Sequence, residues 1–126
     1  MSALGFAAVG IGAACGAWLR WLFSLLWNAA NPALPYGTLA ANLLGGLLIG
    51  IAIGFFDTHA SLPPAWRLLV VTGFLGGLTT FSTFSGELAA NLLAGDYGSA
   101  ALHLLLHLGG SLLLTFAGLW GYRALA

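Results

Sequence analysis

Four polar side chains recur every four residues near the C-terminus: His103, His107, Ser111 and Thr115. On a helix this interval puts them on one stripe, with leucine, alanine and glycine filling most of the other positions. Each of these side chains can donate a hydrogen bond, which suits a small anion. Two histidines one turn apart can also hold a metal, but no carboxylate or cysteine shares their stripe. The lack of an acidic member also makes the stripe a poor proton relay. It reads as an interhelical seam or as the wall of a narrow aqueous path. A second polar pair, Thr38 and Asn42, has the same spacing. An asparagine in an apolar setting needs a partner, either a neighbouring helix or an ion that passes it.

The third concentration is Gly73 to Glu87, GFLGGLTTFSTFSGE. Gly76-Gly77 beside Thr79-Thr80 is a weak point for a helix, because glycine leaves the helical region at little steric cost. Backbone carbonyls released there are tolerated at membrane depth only inside protein or along a polar cavity. Beyond Thr79, hydroxyls and aromatic rings alternate: Phe81, Ser82, Thr83 and Phe84. Phe81 and Phe84 are three apart and project to one face. Their ring edges carry partial positive charge, to which an anion is weakly drawn and from which it can leave again. The alternative is a glycine-rich packing face whose hydroxyls bond back to their own helix.

No nucleophile–base pair, paired carboxylates or phosphate loop accompanies these groups, so catalysis is not expected. Hydroxyl and amide donors with little fixed charge suit conduction. They replace an anion's water shell without holding it as tightly as a fixed cation would.

Helices in a bilayer must position these residues. The chain has 126 residues, of which 60% are hydrophobic and 5% charged, with a mean hydropathy of +1.01. A soluble domain carries about 25% charged residues, so an all-α integral membrane protein is expected. Three basic and three acidic side chains provide no basic patch for nucleic acid. The single cysteine, Cys15, excludes an internal disulfide and a cysteine metal cluster. The N-terminus lacks the basic region of a signal peptide and reads as a spanning helix.

A spanning helix needs about 20 apolar residues. Four segments qualify: Leu4 to Trp27, Thr38 to Phe56, Trp66 to Ala94 and Ala100 to Tyr122. The breaks are short and hold Asn31-Pro32, Pro63-Pro64 and a Gly-Asp-Tyr-Gly turn. The expectation is one four-helix transmembrane domain over residues 1–126, its third helix broken mid-membrane and both termini on one side. Trp27, Tyr36 and Tyr97 fall at one interface and Trp66, Trp120 and Tyr122 at the other, as two aromatic belts.

Arg67 and Arg123 lie on the side of the termini, while Arg20 lies toward the opposite side. This bias is too small to dictate one orientation. Insertion both ways round, with an antiparallel dual-topology homodimer, follows naturally; a partner subunit or missing loop would also account for it. Arg20 is either a snorkelling interfacial residue or the cationic vestibule of an anion path. Glu87 is expected near an interface, paired with an arginine.

Gly37-Thr38 through Asn42 to Gly45-Gly46, together with GFLGGLTTFSTF at 73–84, resembles the CrcB/Fluc family of small fluoride channels. The resemblance extends over nearly the whole chain in length and helix count. It implies an antiparallel homodimer with two fluoride pores in a bacterial inner membrane. It also implies a structural sodium ion at the subunit interface, held by the backbone carbonyls of Gly76 and Thr79. Phe81 and Phe84 would be the pore phenylalanines, Asn42 the helix 2 asparagine, and Ser111 and Thr115 the helix 4 polar track. His103 and His107 depart from the tyrosine or serine of some relatives. Fluoride entering as neutral hydrofluoric acid dissociates inside, and an inside-negative potential drives it out by about 2.3 kcal/mol per 100 mV.

Two rivals remain at this stage. A small dual-topology multidrug transporter would need a membrane-embedded carboxylate, which the first helix lacks. A non-transporting assembly subunit would show no ion flux alone.

Overall fold

In lipid, a chain of leucine, alanine and glycine can satisfy its backbone only by bonding within each segment. The computed structural model, which describes residues 1–126, accordingly holds four long apolar helices. Helix α1 is Ala3–Trp27, followed by a 3₁₀ turn at Asn28–Ala30. Helix α2 is Tyr36–Thr58. The third span, α3, covers Pro64–Leu93, and the fourth, α4, covers Tyr97–Leu125. Each boundary lies within three residues of its expected place. The protein is a multi-pass, all-helical membrane protein.

Local chemistry sets the ends. The Ser2 hydroxyl accepts from the Gly5 amide at 2.9 Å and starts α1. Pro64 opens α3, where its missing N–H costs nothing. Gly95, at φ +73°, makes the turn between α3 and α4 that a side chain would resist. Asp96 then caps α4 by accepting from the Ser99 amide at 3.1 Å. Hydrogen bonds from Ser99, side chain first and then amide, hold the exposed Asp96 carboxyl below the usual carboxylate range.

Helix α1 packs against α2 and against the first half of α3, while α2 packs along α4. The second half of α3, Phe81–Leu93, leans instead on the first turns of α4. Both main seams are backbone on backbone. A Cβ on Gly46 of α2 would stand 2.8 Å from the Ser111 carbonyl oxygen of α4. A Cβ on Gly12 of α1 would stand 3.0 Å from the Gly73 Cα of α3. Glycine lets such helices approach closely enough for dispersion to act where lipid removes the hydrophobic drive. The Thr115 hydroxyl bonds across the α2–α4 seam to the Gly46 carbonyl at 2.9 Å.

Only 24 of the 126 residues are buried within the chain. Large apolar side chains such as Trp18, Trp21, Phe81, Leu105 and Leu113 are more than 60% exposed, too much apolar surface for water to cover.

Candidate functional site

Helical winding stops at two residues inside α3. Thr79 (φ −86°, ψ 152°) and Thr80 (φ −148°, ψ 108°) are extended between Gly76–Leu78 and Phe81–Leu93. The turns before them, Leu68–Leu75, are already wound wide as a π-helix. Each group that leaves the helical ladder needs a new partner. The Thr80 amide donates to Asn42 Oδ1 at 2.8 Å, and Asn42 Nδ2 donates to the Thr80 carbonyl at 3.1 Å. One side-chain amide thus pairs with one backbone unit as a neighbouring strand would. The Thr80 hydroxyl accepts from the Thr83 amide at 3.1 Å and caps the second half of α3. Arg20 Nε donates to the Gly77 carbonyl at 3.1 Å.

The carbonyls of Gly76 and Thr79 are among those released by this rearrangement. In a continuous helix the Thr80 amide would bond Gly76 and the Thr83 amide would bond Thr79. Both amides point elsewhere, and Gly76 and Thr79 line a cavity of about 460 Å³. Uncharged oxygens without amide partners are donors that a hard cation accepts, so Gly76 and Thr79 fit the sodium ion the resemblance implies.

The same cavity is lined by Asn42 of α2, by Phe81 and Phe84 of α3, and by Ser111 and Thr115 of α4. These five sequence candidates are therefore brought together. Phe84 is 3% exposed, and its ring meets Phe81 edge to face at 5.4 Å between centroids. Phe81 is 71% exposed, its outer face uncovered by this chain.

The other candidates are placed elsewhere. Thr38 is buried but tied to the α1–α2 connection: its amide donates to Asn28 Oδ1 at 3.1 Å, and its hydroxyl accepts from Asn28 Nδ2 at 3.4 Å. Ser82 and Thr83 are exposed, outside the cavity, with hydroxyls grouped around Thr80 Oγ1 at 3.3 and 3.0 Å. Arg20 reaches the released Gly77 carbonyl and not open water alone. Glu87 does not pair with an arginine. It turns inward, with Oε1 3.6 Å from His103 Nε2. The histidine stripe therefore does face a carboxylate, supplied by α3 and not by α4.

Sequence reasoning left His103 and His107 as members of a seam or path wall without naming their partners, and it singled out neither Thr80 as a cap nor Asn91. His107 stacks on Phe84 at 4.6 Å and lines the cavity, and His103 stacks on His107 at 4.6 Å. Asn42 Nδ2 stands 3.0 Å from His107 Nδ1, and Asn91 Nδ2 stands 3.4 Å from His103 Nδ1. Both histidines are buried, and the Nε2 atom of each has no hydrogen-bond partner, nor has Glu87 Oε1. Thr80 was legible as a helix N-cap, a threonine three residues before Thr83 at a glycine-weakened point. Asn91, one turn beyond Glu87, was legible as an amide in an apolar helix that requires a partner.

The chain matches the family model described as CrcB-like protein, Camphor Resistance (CrcB), over residues 7–119. It is 79% identical over 126 residues to the fluoride-specific ion channel FluC of Cupriavidus taiwanensis, with all of both chains covered. It is 75% identical over 125 residues to the protein of that name from Ralstonia nicotianae, covering 99% of each chain. The Burkholderia cenocepacia protein of that name is 56% identical over 117 residues, with 93% of this chain and 91% of the relative covered. A match of this length, carried by relatives that align from end to end, means that the chain belongs to the CrcB family.

Proposed function

We propose that this protein is a fluoride channel that lets cytoplasmic fluoride leave the cell passively. Its relatives are named fluoride-specific ion channels, not enzymes. The observation that carries the reading is the cavity between α2, α3 and α4. It sets the Asn42 amide and the Ser111 and Thr115 hydroxyls beside the Phe81 and Phe84 rings, with no charged side chain among its lining residues. Neutral donors and ring edges hold a small anion weakly enough to release it. A proton-coupled drug transporter is a poor fit, because Glu87 faces a buried histidine and does not line the cavity.

The single domain works as an antiparallel homodimer. The exposed Phe81 face and the neighbouring Ser82 and Thr83 are where a second copy would complete the path. The extended Thr79-Thr80 pair lies mid-membrane in this reading, and its two copies meet at the interface. Two carbonyls alone are too few to replace the water of a hard cation. Gly76 and Thr79 from both copies double the set and would hold a structural sodium ion, which supplies positive charge without a fixed cationic side chain. Arg20 marks the vestibule, and the membrane is the bacterial inner membrane. Liposomes containing only this protein should release fluoride and retain chloride when a potassium ionophore frees the counter-ion. Equal release of both ions, or of neither, refutes the reading.

A further inference from the structure

The connection between α2 and α3 encloses a second cavity of about 360 Å³, which shares no lining residue with the first. Phe56, Asp57, His59, Pro63, Pro64 and Arg67 line it. It lies where two spans end, at Thr58 and Pro64, and so at a face of the membrane. Trp66 beside it is exposed, as an interfacial tryptophan is.

Asp57 and Arg67 bring opposite charges to this one cavity and yet do not pair. The single contact of that kind in the molecule joins His103 and Glu87. The hydrogen bonds of the corner belong to other groups. Thr58 Oγ1 meets the Tyr122 hydroxyl at 2.8 Å, and His59 Nδ1 meets the Phe55 carbonyl at 2.9 Å. A carbonyl only accepts, so His59 carries a proton on Nδ1, and Nε2 is the acceptor of the neutral ring. That ring stacks on Phe55 at 4.2 Å. Arg67 is held as well: its guanidinium carbon stands 6.0 Å from the centroid of the buried Phe56 ring. Pro63-Pro64 stiffens the chain between the two sides.

The cavity therefore offers one guanidinium for an anion and, apart from it, two acceptors for a cation. A simple ion satisfies only half of this set. A zwitterion with its two charges a short link apart satisfies both, and at a membrane face the abundant molecules of that kind are phospholipids. Arginine gives paired hydrogen bonds to a phosphate. A carboxylate and an imidazole nitrogen need N–H donors, which a primary ammonium has and a quaternary one lacks. We propose that this corner binds the phosphoethanolamine headgroup of a phospholipid, its phosphate on Arg67 and its ammonium on Asp57 and His59. The site is independent of what the other cavity conducts.

Purified protein in a non-ionic detergent is titrated with short-chain phosphatidylethanolamine, its N-methylated series up to phosphatidylcholine, and phosphatidylglycerol. Bound lipid is counted by native mass spectrometry. Affinity should fall along the methyl series, by about fivefold or more at phosphatidylcholine, as charge-assisted hydrogen bonds are lost. Asp57→Asn should remove the preference for the primary ammonium while the lipids still bind. Arg67→Gln should weaken all of them by a similar factor; should it fail to purify, Arg67→Lys keeps the charge without the paired donors and should weaken them less. Equal binding of phosphatidylethanolamine and phosphatidylcholine by the parent overturns the proposal. So does a preference for phosphatidylglycerol, which would make Arg67 a contact for any anionic lipid. Free phosphoethanolamine or inorganic phosphate that binds as tightly as the lipid would mark a site for a soluble ligand instead. Unchanged binding in both Asp57→Asn and Arg67→Gln would place the lipid elsewhere on the helices.

Discussion

Replacing the two cavity phenylalanines by leucine separates ring electrostatics from packing, and the two positions differ in what they disturb. Phe84 is 3% exposed and sits against Phe81 at 5.4 Å, His107 at 4.6 Å and His103 at 5.5 Å. A volume-conserving apolar swap in a packed site costs under about 1.5 kcal/mol. Each ring pair adds about 0.5–1.5 kcal/mol. With its two nearest ring partners lost, Phe84→Leu should cost about 2–4 kcal/mol and would also loosen His107. Phe81 has one ring partner within this chain and is 71% exposed, so Phe81→Leu should cost about 1 kcal/mol. Phe81→Leu is therefore the cleaner test, although Phe84 is the better packed ring. Each variant is purified, its unfolding followed in detergent, and its efflux read with a fluoride electrode. Losing a ring-edge attraction of about 1.4 kcal/mol at the barrier slows passage about tenfold. Phe81→Leu should therefore purify as a dimer with nearly unchanged stability and efflux down by roughly that factor. If both leucine variants conduct like the parent, the rings only pack and the donors carry the ion alone.

Asn42→Asp should abolish fluoride efflux, since a carboxylate repels the ion, opposes the Thr80 carbonyl and draws the His107 proton to Nδ1; retained efflux at neutral pH places Asn42 off the path. A tag on the C-terminus should be labelled from both faces of the membrane in intact cells, and labelling from one face alone removes the antiparallel dimer. Exchange of sodium for a large organic cation during purification should weaken the dimer on size-exclusion chromatography, whereas equal stability in both solutions argues against a structural ion at Gly76 and Thr79. Gly46→Val should abolish the folded protein, because even its Cβ would stand 2.8 Å from the Ser111 carbonyl oxygen; a normally folded, conducting variant would mean that α2 and α4 can part.

The four spans were legible because hydropathy and length are properties of a segment alone. The meeting of Asn42, Phe81, Phe84, Ser111 and Thr115 was legible because each sits on a polar or aromatic stripe of its own helix. Partners across helices were not. Periodicity gives the face on which Thr38 lies but not that Asn28, ten residues earlier, takes both its amide and its hydroxyl. Ser82 and Thr83 alternate with the phenylalanines in sequence. The extended residues before them, however, turn their hydroxyls toward the Thr80 cap and away from the cavity. Glu87 looked like an interfacial charge because nothing in one helix reveals that His103 of another stands 3.6 Å away.

The pairing of the Asn42 amide with the Thr80 backbone has a consequence for biogenesis. The Thr80 N–H and C=O, placed in hydrocarbon without α2, would each cost several kcal/mol. A lone third span therefore inserts best as one unbroken helix, and the extended pair can form only once Asn42 is alongside. Synthesis delivers α2 first, so its side chain is waiting when the third span enters the bilayer. A circular permutant that translates the third span before the second would face the reverse order. It should pass through a long-lived state with a straight third helix, in which the cavity does not yet exist.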